Sequence, residues 1–105
     1  MVKETSYTIL LDTEIRVRIQ FTRERYQVTE FVVQLEYLDN DHWYPVVRYD
    51  TAHHFAHRDI LHPDGSQEKD PIPVKDYNEA LTYAQKDILA NFRLYCARFK
   101  EWLNG

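Results

Sequence analysis

Residues 76–103 read D-Y-N-E-A-L-T-Y-A-Q-K-D-I-L-A-N-F-R-L-Y-C-A-R-F-K-E-W-L, with no Gly or Pro. Leu81, Ala84, Ile88, Phe92, Tyr95, Phe99 and Trp102 recur at spacings of three and four, which is one face of a helix. Asp76 and Glu79 have the acceptor-x-x-Glu spacing of an N-terminal cap. A helix of this length spans about 42 Å. It is long enough to lie across a sheet and needs an apolar surface to cover.

The N-terminal half supplies that surface. In residues 14–22, Ile15, Val17, Ile19 and Phe21 alternate with Arg16, Arg18 and Gln20, the period of a half-buried antiparallel strand. Residues 28–38 repeat the pattern, with Phe31, Val33, Leu35 and Tyr37 on one face. Residues 6–11 form a short first strand. Asp39-Asn40-Asp41 is turn chemistry, and residues 42–50 return as a hairpin partner containing Pro45, which suggests an edge or a bulge. The register of that hairpin has two solutions. A two- or four-residue loop turns Arg48 and Asp50 toward the apolar face. A three-residue loop, or a bulge at Pro45, places Trp43, Val47 and Tyr49 there instead. Residues 55–61 fit a short strand or a helical turn, His62-Pro63-Asp64-Gly65 is a tight turn, and residues 66–75 read as an extended connector. The expected fold is α+β, a single domain over residues 1–105. An antiparallel sheet of four or five strands packs against one long C-terminal helix.

The 44% apolar and 29% charged residues belong to an ordinary globular chain. A lone Cys96 excludes an intramolecular disulfide and a thiolate zinc cluster. No long apolar run or signal-peptide core is present, so the expectation is a cytoplasmic protein with no membrane partner. The net charge of −4 argues against strong non-specific binding to nucleic acid but leaves room for a local basic patch.

Function is expected in residues 48–62, R-Y-D-T-A-H-H-F-A-H-R-D-I-L-H, which hold four of the five histidines beside Arg48, Asp50, Arg58 and Asp59. Imidazoles crowded by carboxylates and guanidinium groups suit proton transfer or metal binding. Asp50, His53, His57 and either Asp59 or His62 could supply metal donors. The run lacks the Glu of a zinc-protease helix, so backbone-bonded histidines are the preferred reading, and neither a metal nor a cofactor is assigned. Metal-free cleavage of RNA needs a base, an acid and a cation beside the phosphate. Two histidines with Arg48 or Arg58, oriented by Asp50 or Asp59, would meet that need, although Arg48 and Asp50 could equally be a structural pair. The stripe of Lys86, Arg93 and Lys100 reads as the solvated back of the helix.

The run R-Y-D-T-A-H-H-F-A-H-R-D, with its H-P-D-G continuation, resembles that of short prokaryotic proteins of unknown function. Arg48, Tyr49, Asp50, Ala52 and His54 also correspond to the arginine-aromatic-aspartate-x-alanine-histidine run of the TumE-like toxin family. The chain departs from that family in lacking its second dense histidine cluster and in its longer helix. The resemblance implies a toxin-like component of a toxin–antitoxin pair, with an antitoxin protein and RNA as partners. Arg48, Asp50, His53, His57 and Asp59 are then the catalytic candidates. The alternative is a non-enzymatic interaction module whose histidine-rich loop holds a protein partner.

Overall fold

The computed structural model describes residues 1–52 and 55–105. A six-stranded antiparallel sheet packs against one long C-terminal helix. The strands are β1 (Val2–Asp12), β2 (Ile15–Glu24), β3 (Gln27–Asp39), β4 (His42–Asp50), β5 (His57–Leu61) and β6 (Gln67–Pro71), and the helix is α1 (Tyr77–Asn104). Each strand lies beside its neighbour in sequence. The sheet therefore has six strands where four or five were expected, because residues 67–71 form β6 rather than part of a connector. Its five residues are all exposed, so no buried alternation marks it. Pairing with β5 is what holds it in place.

Turn chemistry sets the hairpins. Asn40 and Asp41 both have positive φ, as a two-residue type I′ connection between β3 and β4 requires. Gly65, at φ +91°, closes the His62–Gly65 turn with its N–H on the His62 carbonyl at 3.0 Å. The β3–β4 ladder then breaks register. Leu35 pairs with Val47 and Glu36 with Pro45, so Val46 is the extra residue of a bulge. Before the bulge Tyr44 faces the helix, and Trp43 pairs with Leu38 on the opposite side, contrary to the expectation that a bulge would turn Trp43 inward. After it, Val47 and Tyr49 face the helix and are fully buried. Arg48 and Asp50 therefore lie on the open face of the sheet.

The core joins Ile15, Val17 and Ile19, Phe31, Val33 and Leu35, and Val46, Val47 and Tyr49 to Ala84, Ile88, Tyr95 and Phe99 of α1. The helix packs chiefly on β3, then on β4 and β2. Its start is fixed by Asn78, whose side chain accepts from the Val28 N–H at 2.6 Å and donates to the Tyr26 carbonyl at 2.8 Å. Asp76 caps the helix by accepting from the Glu79 N–H, and Glu79 reaches back to the Lys75 N–H. Phe92 sits at the margin of the apolar stripe, half-buried, and Lys86, Arg93 and Lys100 are exposed as expected. No helix among the described residues is long and apolar enough to cross a membrane.

Phe99 is 1% exposed and packs on Tyr37 and Tyr44. Phe99→Ala should cost about 3–5 kcal/mol of unfolding free energy. Lys86→Ala should stay within about 0.5 kcal/mol. Urea denaturation measures both, and equal losses would contradict the packing described.

Candidate functional site on the open face of the sheet

The open face carries a polar row that runs across three strands. Trp43 lies under the Arg16 guanidinium, 4.0 Å from its ring centre. Arg16 Nε donates to Glu36 Oε1 at 2.6 Å, and Gln34 Nε2 donates to Glu36 Oε2 at 2.6 Å. Arg48 Nε in turn donates to Gln34 Oε1 at 2.7 Å. Glu36 is only 4% exposed, so these donors compensate for a carboxylate withdrawn from water.

Beside Arg48 the row ends in a second cluster. Asp50 pairs in register with His57, and Arg48 with Asp59. His57 Nε2 lies 2.8 Å from Asp50 Oδ1 and 3.5 Å from Asp59 Oδ2. Its Nδ1 lies 3.2 Å from the Phe55 carbonyl, and the Phe55 ring covers it. Lys69 of β6 reaches in from the edge, with Nζ 3.2 Å from His57 Nε2 and 3.5 Å from Asp59 Oδ1. His57 is 0% exposed and Asp59 3%, whereas the Asp50 and Lys69 side chains keep some access to solvent. Asp50 also lines a depression of about 340 Å³ together with Gln20, Thr22, Glu30, Val32 and Thr51.

The protons around His57 are over-determined. A carbonyl only accepts, so the Phe55 contact needs a proton on Nδ1. A carboxylate likewise only accepts, so Asp50 needs one on Nε2, whereas an ammonium at 3.2 Å needs a lone pair on that same atom. One position is thus contested by a proton, an ammonium and two carboxylates.

Of the expected site residues, Arg48, Asp50, His57 and Asp59 come together on this face, and His53 lies outside the described residues. His54 lies outside them too. His62 points elsewhere. It stacks on Trp102, with ring centres 4.1 Å apart, and bonds Glu68 at 2.7 Å. Arg58 alternates to the helix side, where Nη1 donates to the Tyr95 hydroxyl at 3.3 Å and Nη2 to Asp70 at 3.3 Å. Lys69 and Gln34 were not anticipated. The tight turn at residues 62–65 was the available signal for Lys69, because such a turn sends the chain back along β5.

On the helix side, Asp87 gathers a half-buried network. Its Oδ2 accepts from the Tyr49 hydroxyl and, at 2.6 Å, from the Tyr95 hydroxyl. Its Oδ1 accepts from Asn91 Nδ2 at 2.8 Å. Burial first, and then the Asp87 carboxylate, push both phenols above the ordinary tyrosine range. Burial alone raises the Cys96 thiol to about 12, which makes it a poor nucleophile.

The raised phenols give a signed expectation. In the unfolded chain they ionise near the usual value of about 10. Above that pH the native state holds protons that the unfolded state has released, so stability should fall as pH rises. Each such group contributes a slope of up to about 1.4 kcal/mol per pH unit. Denaturant titrations between pH 9 and 11.5 should show the fall, and Tyr49→Phe should make it shallower. An unchanged slope in the variant would contradict the buried Tyr49–Asp87 bond.

No curated protein and no solved structure matches this chain. A family described as a domain of unknown function, DUF7718, matches residues 1–105. The match spans the sheet, the polar cluster on its open face and the long helix together, and the chain belongs to that family.

Proposed function

We propose that the chain acts on RNA phosphodiesters as the toxin-like component of a toxin–antitoxin pair. The observation that carries this reading is the convergence of His57, Asp50, Asp59, Arg48 and Lys69 at the β4–β5–β6 end of an open sheet face. The resemblance of residues 48–54 to the TumE-like run supports it. Asp50 is the member that borders the depression, and the buried His57 fixes its carboxylate from behind. In the reaction, Asp50 takes the proton of a 2′-hydroxyl, the freed oxygen attacks phosphorus, and the bond to the 5′ oxygen breaks. That leaving oxygen takes its proton from solvent water, the proton held by Asp50 returns to the hydroxide so formed, and the product is a 2′,3′-cyclic phosphate. Arg48 and Lys69 are the cations available to the charge that builds on the phosphate.

One observation favours the second reading, a protein-interaction module. Ile9 of β1 and Leu89 of the helix are exposed apolar residues that line one depression on the helix side of the sheet. An antitoxin could use the same surface, so the two readings separate by activity rather than by binding.

Induced expression in bacteria should slow growth, and the purified chain should shorten RNA to fragments with cyclic phosphate ends. Asp50→Asn and Arg48→Ala should each lower cleavage by about 10²–10⁴-fold while the melting temperature holds within a few degrees. Intact RNA with high soluble expression of a harmless wild type would remove the catalytic reading and leave the interaction module.

A further inference from the structure

We infer that Asp50, His57 and Asp59 form a binding site for one divalent first-row cation, of the Mn²⁺ or Zn²⁺ class, on the open face of the sheet. One ligand atom from each residue lies within 4.8 Å of the others. His57 Nε2 stands 2.8 Å from Asp50 Oδ1 and 3.5 Å from Asp59 Oδ2. Metal–ligand bonds of about 2.0–2.2 Å place neighbouring donors roughly 3.0–3.5 Å apart, so the triad needs only small side-chain adjustments to close on an ion. The His57 Nδ1–Phe55 carbonyl contact is the outer bond that fixes a metal-binding imidazole with Nε2 as its donor. One imidazole with two carboxylates suits Mn²⁺ or Zn²⁺ better than a cation that demands oxygen alone.

A second observation points to a cation independently of the spacing. Asp59 is 3% exposed, and its Oδ1 makes no hydrogen bond among the described residues. A buried carboxylate oxygen in that state is costly unless a positive charge stands near it. Lys69 Nζ supplies only a 3.5 Å approach to that oxygen and simultaneously crowds His57 Nε2. A divalent ion between the three ligands resolves all of these contacts. It takes the Nε2 lone pair, neutralises both carboxylates and releases Lys69, which is 35% exposed in its side chain, toward solvent. All three ligands stand on paired strands, Asp50 opposite His57 and Asp59 two residues further along β5. The site is therefore preformed rather than assembled from loops. The inference concerns cation binding by these residues and does not depend on cleavage of RNA.

The test is calorimetric titration of the chelator-stripped full chain with MnCl₂ and with ZnCl₂. Saturable one-to-one binding of at least one of the two is expected. Loss of an outer-sphere partner alone costs about 10–100-fold in metal affinity, so Asp50→Asn and Asp59→Asn should each cost at least that. Lys69→Met, which removes the competing ammonium, should bind as tightly or more tightly. Should the asparagine variants fail to fold, the wild type still decides. Mn²⁺ added below stoichiometry should broaden the NMR signals of Asp50, His57 and Asp59 before those of His42 and His62. Absence of one-to-one binding by a folded wild type, affinity unchanged in both asparagine variants, weaker binding by Lys69→Met, or broadening centred on other residues would overturn the site. Binding without RNA cleavage would leave this inference standing and remove only the catalytic reading. Cleavage without binding would do the reverse.

Discussion

One extra residue in β4 determines what each face of the sheet can do. Val46 sits in the bulge between the Glu36–Pro45 and Leu35–Val47 pairs, and the residues beyond it carry the opposite parity from those before it. Without that shift the two-residue turn at Asn40-Asp41 would direct Arg48 and Asp50 into the core and Val47 and Tyr49 to solvent. Burying Arg48 and Asp50 unpaired would cost several kcal/mol each, whereas Val46, Val47 and Tyr49 are now at most 2% exposed. Pro45 fits the distortion because it has no N–H to leave without a partner. The antiparallel pairing then transmits the parity of β4 to β5. It puts His57 and Asp59 on the open face and Arg58 and Ile60 on the covered one.

Two polar clusters result, back to back across the same strands, and they differ in kind. On the covered face Asp87 accepts from Tyr49, Tyr95 and Asn91, so its lone pairs are matched by neutral donors. Such a network is satisfied and serves to fix the helix against β4. On the open face the donors and acceptors around His57 Nε2 do not match. Two carboxylates and an ammonium converge on a single nitrogen, and among the described residues Asp59 Oδ1 makes no hydrogen bond and has only the Lys69 ammonium at 3.5 Å. Mismatched buried polar groups concentrate where a fold serves chemistry or binding rather than stability alone. That contrast, more than the number of histidines, separates the site from the scaffold.

The parts of this arrangement legible in the sequence are those that bury a periodic face. The helix, its Asp76 cap and the alternation of β2 and β3 are visible because one side of each element meets the core. β6 is invisible to that logic, since an edge strand reading Q-E-K-D-P buries nothing and is specified only by its partner. Lys69 was missed with it. Pro45 signals a bulge, but the local pattern fits both registers, so the parity of Arg48 and Asp50 is decided only by the pairing that makes Val46 supernumerary. The four histidines in residues 53–62 looked like one cluster in the linear chain. Yet His62, just past β5, turns to Trp102, while His57 joins Asp50 across the ladder. Asp87 reads as an ordinary polar helix residue until Tyr49 and Tyr95 are seen to converge on it.

The central claim is that the β4 bulge sends Tyr49 to the helix and Arg48 and Asp50 to the open face. Nuclear Overhauser spectroscopy of the labelled chain tests it most directly. The ring protons of Tyr49 and Tyr83, whose centres lie 6.1 Å apart, should show cross-peaks, and Arg48 side-chain protons should instead see Gln34. Cross-peaks from Arg48 to residues of the helix, with Tyr49 showing none, would mean that the parity of β4 is reversed and that the open-face site does not exist.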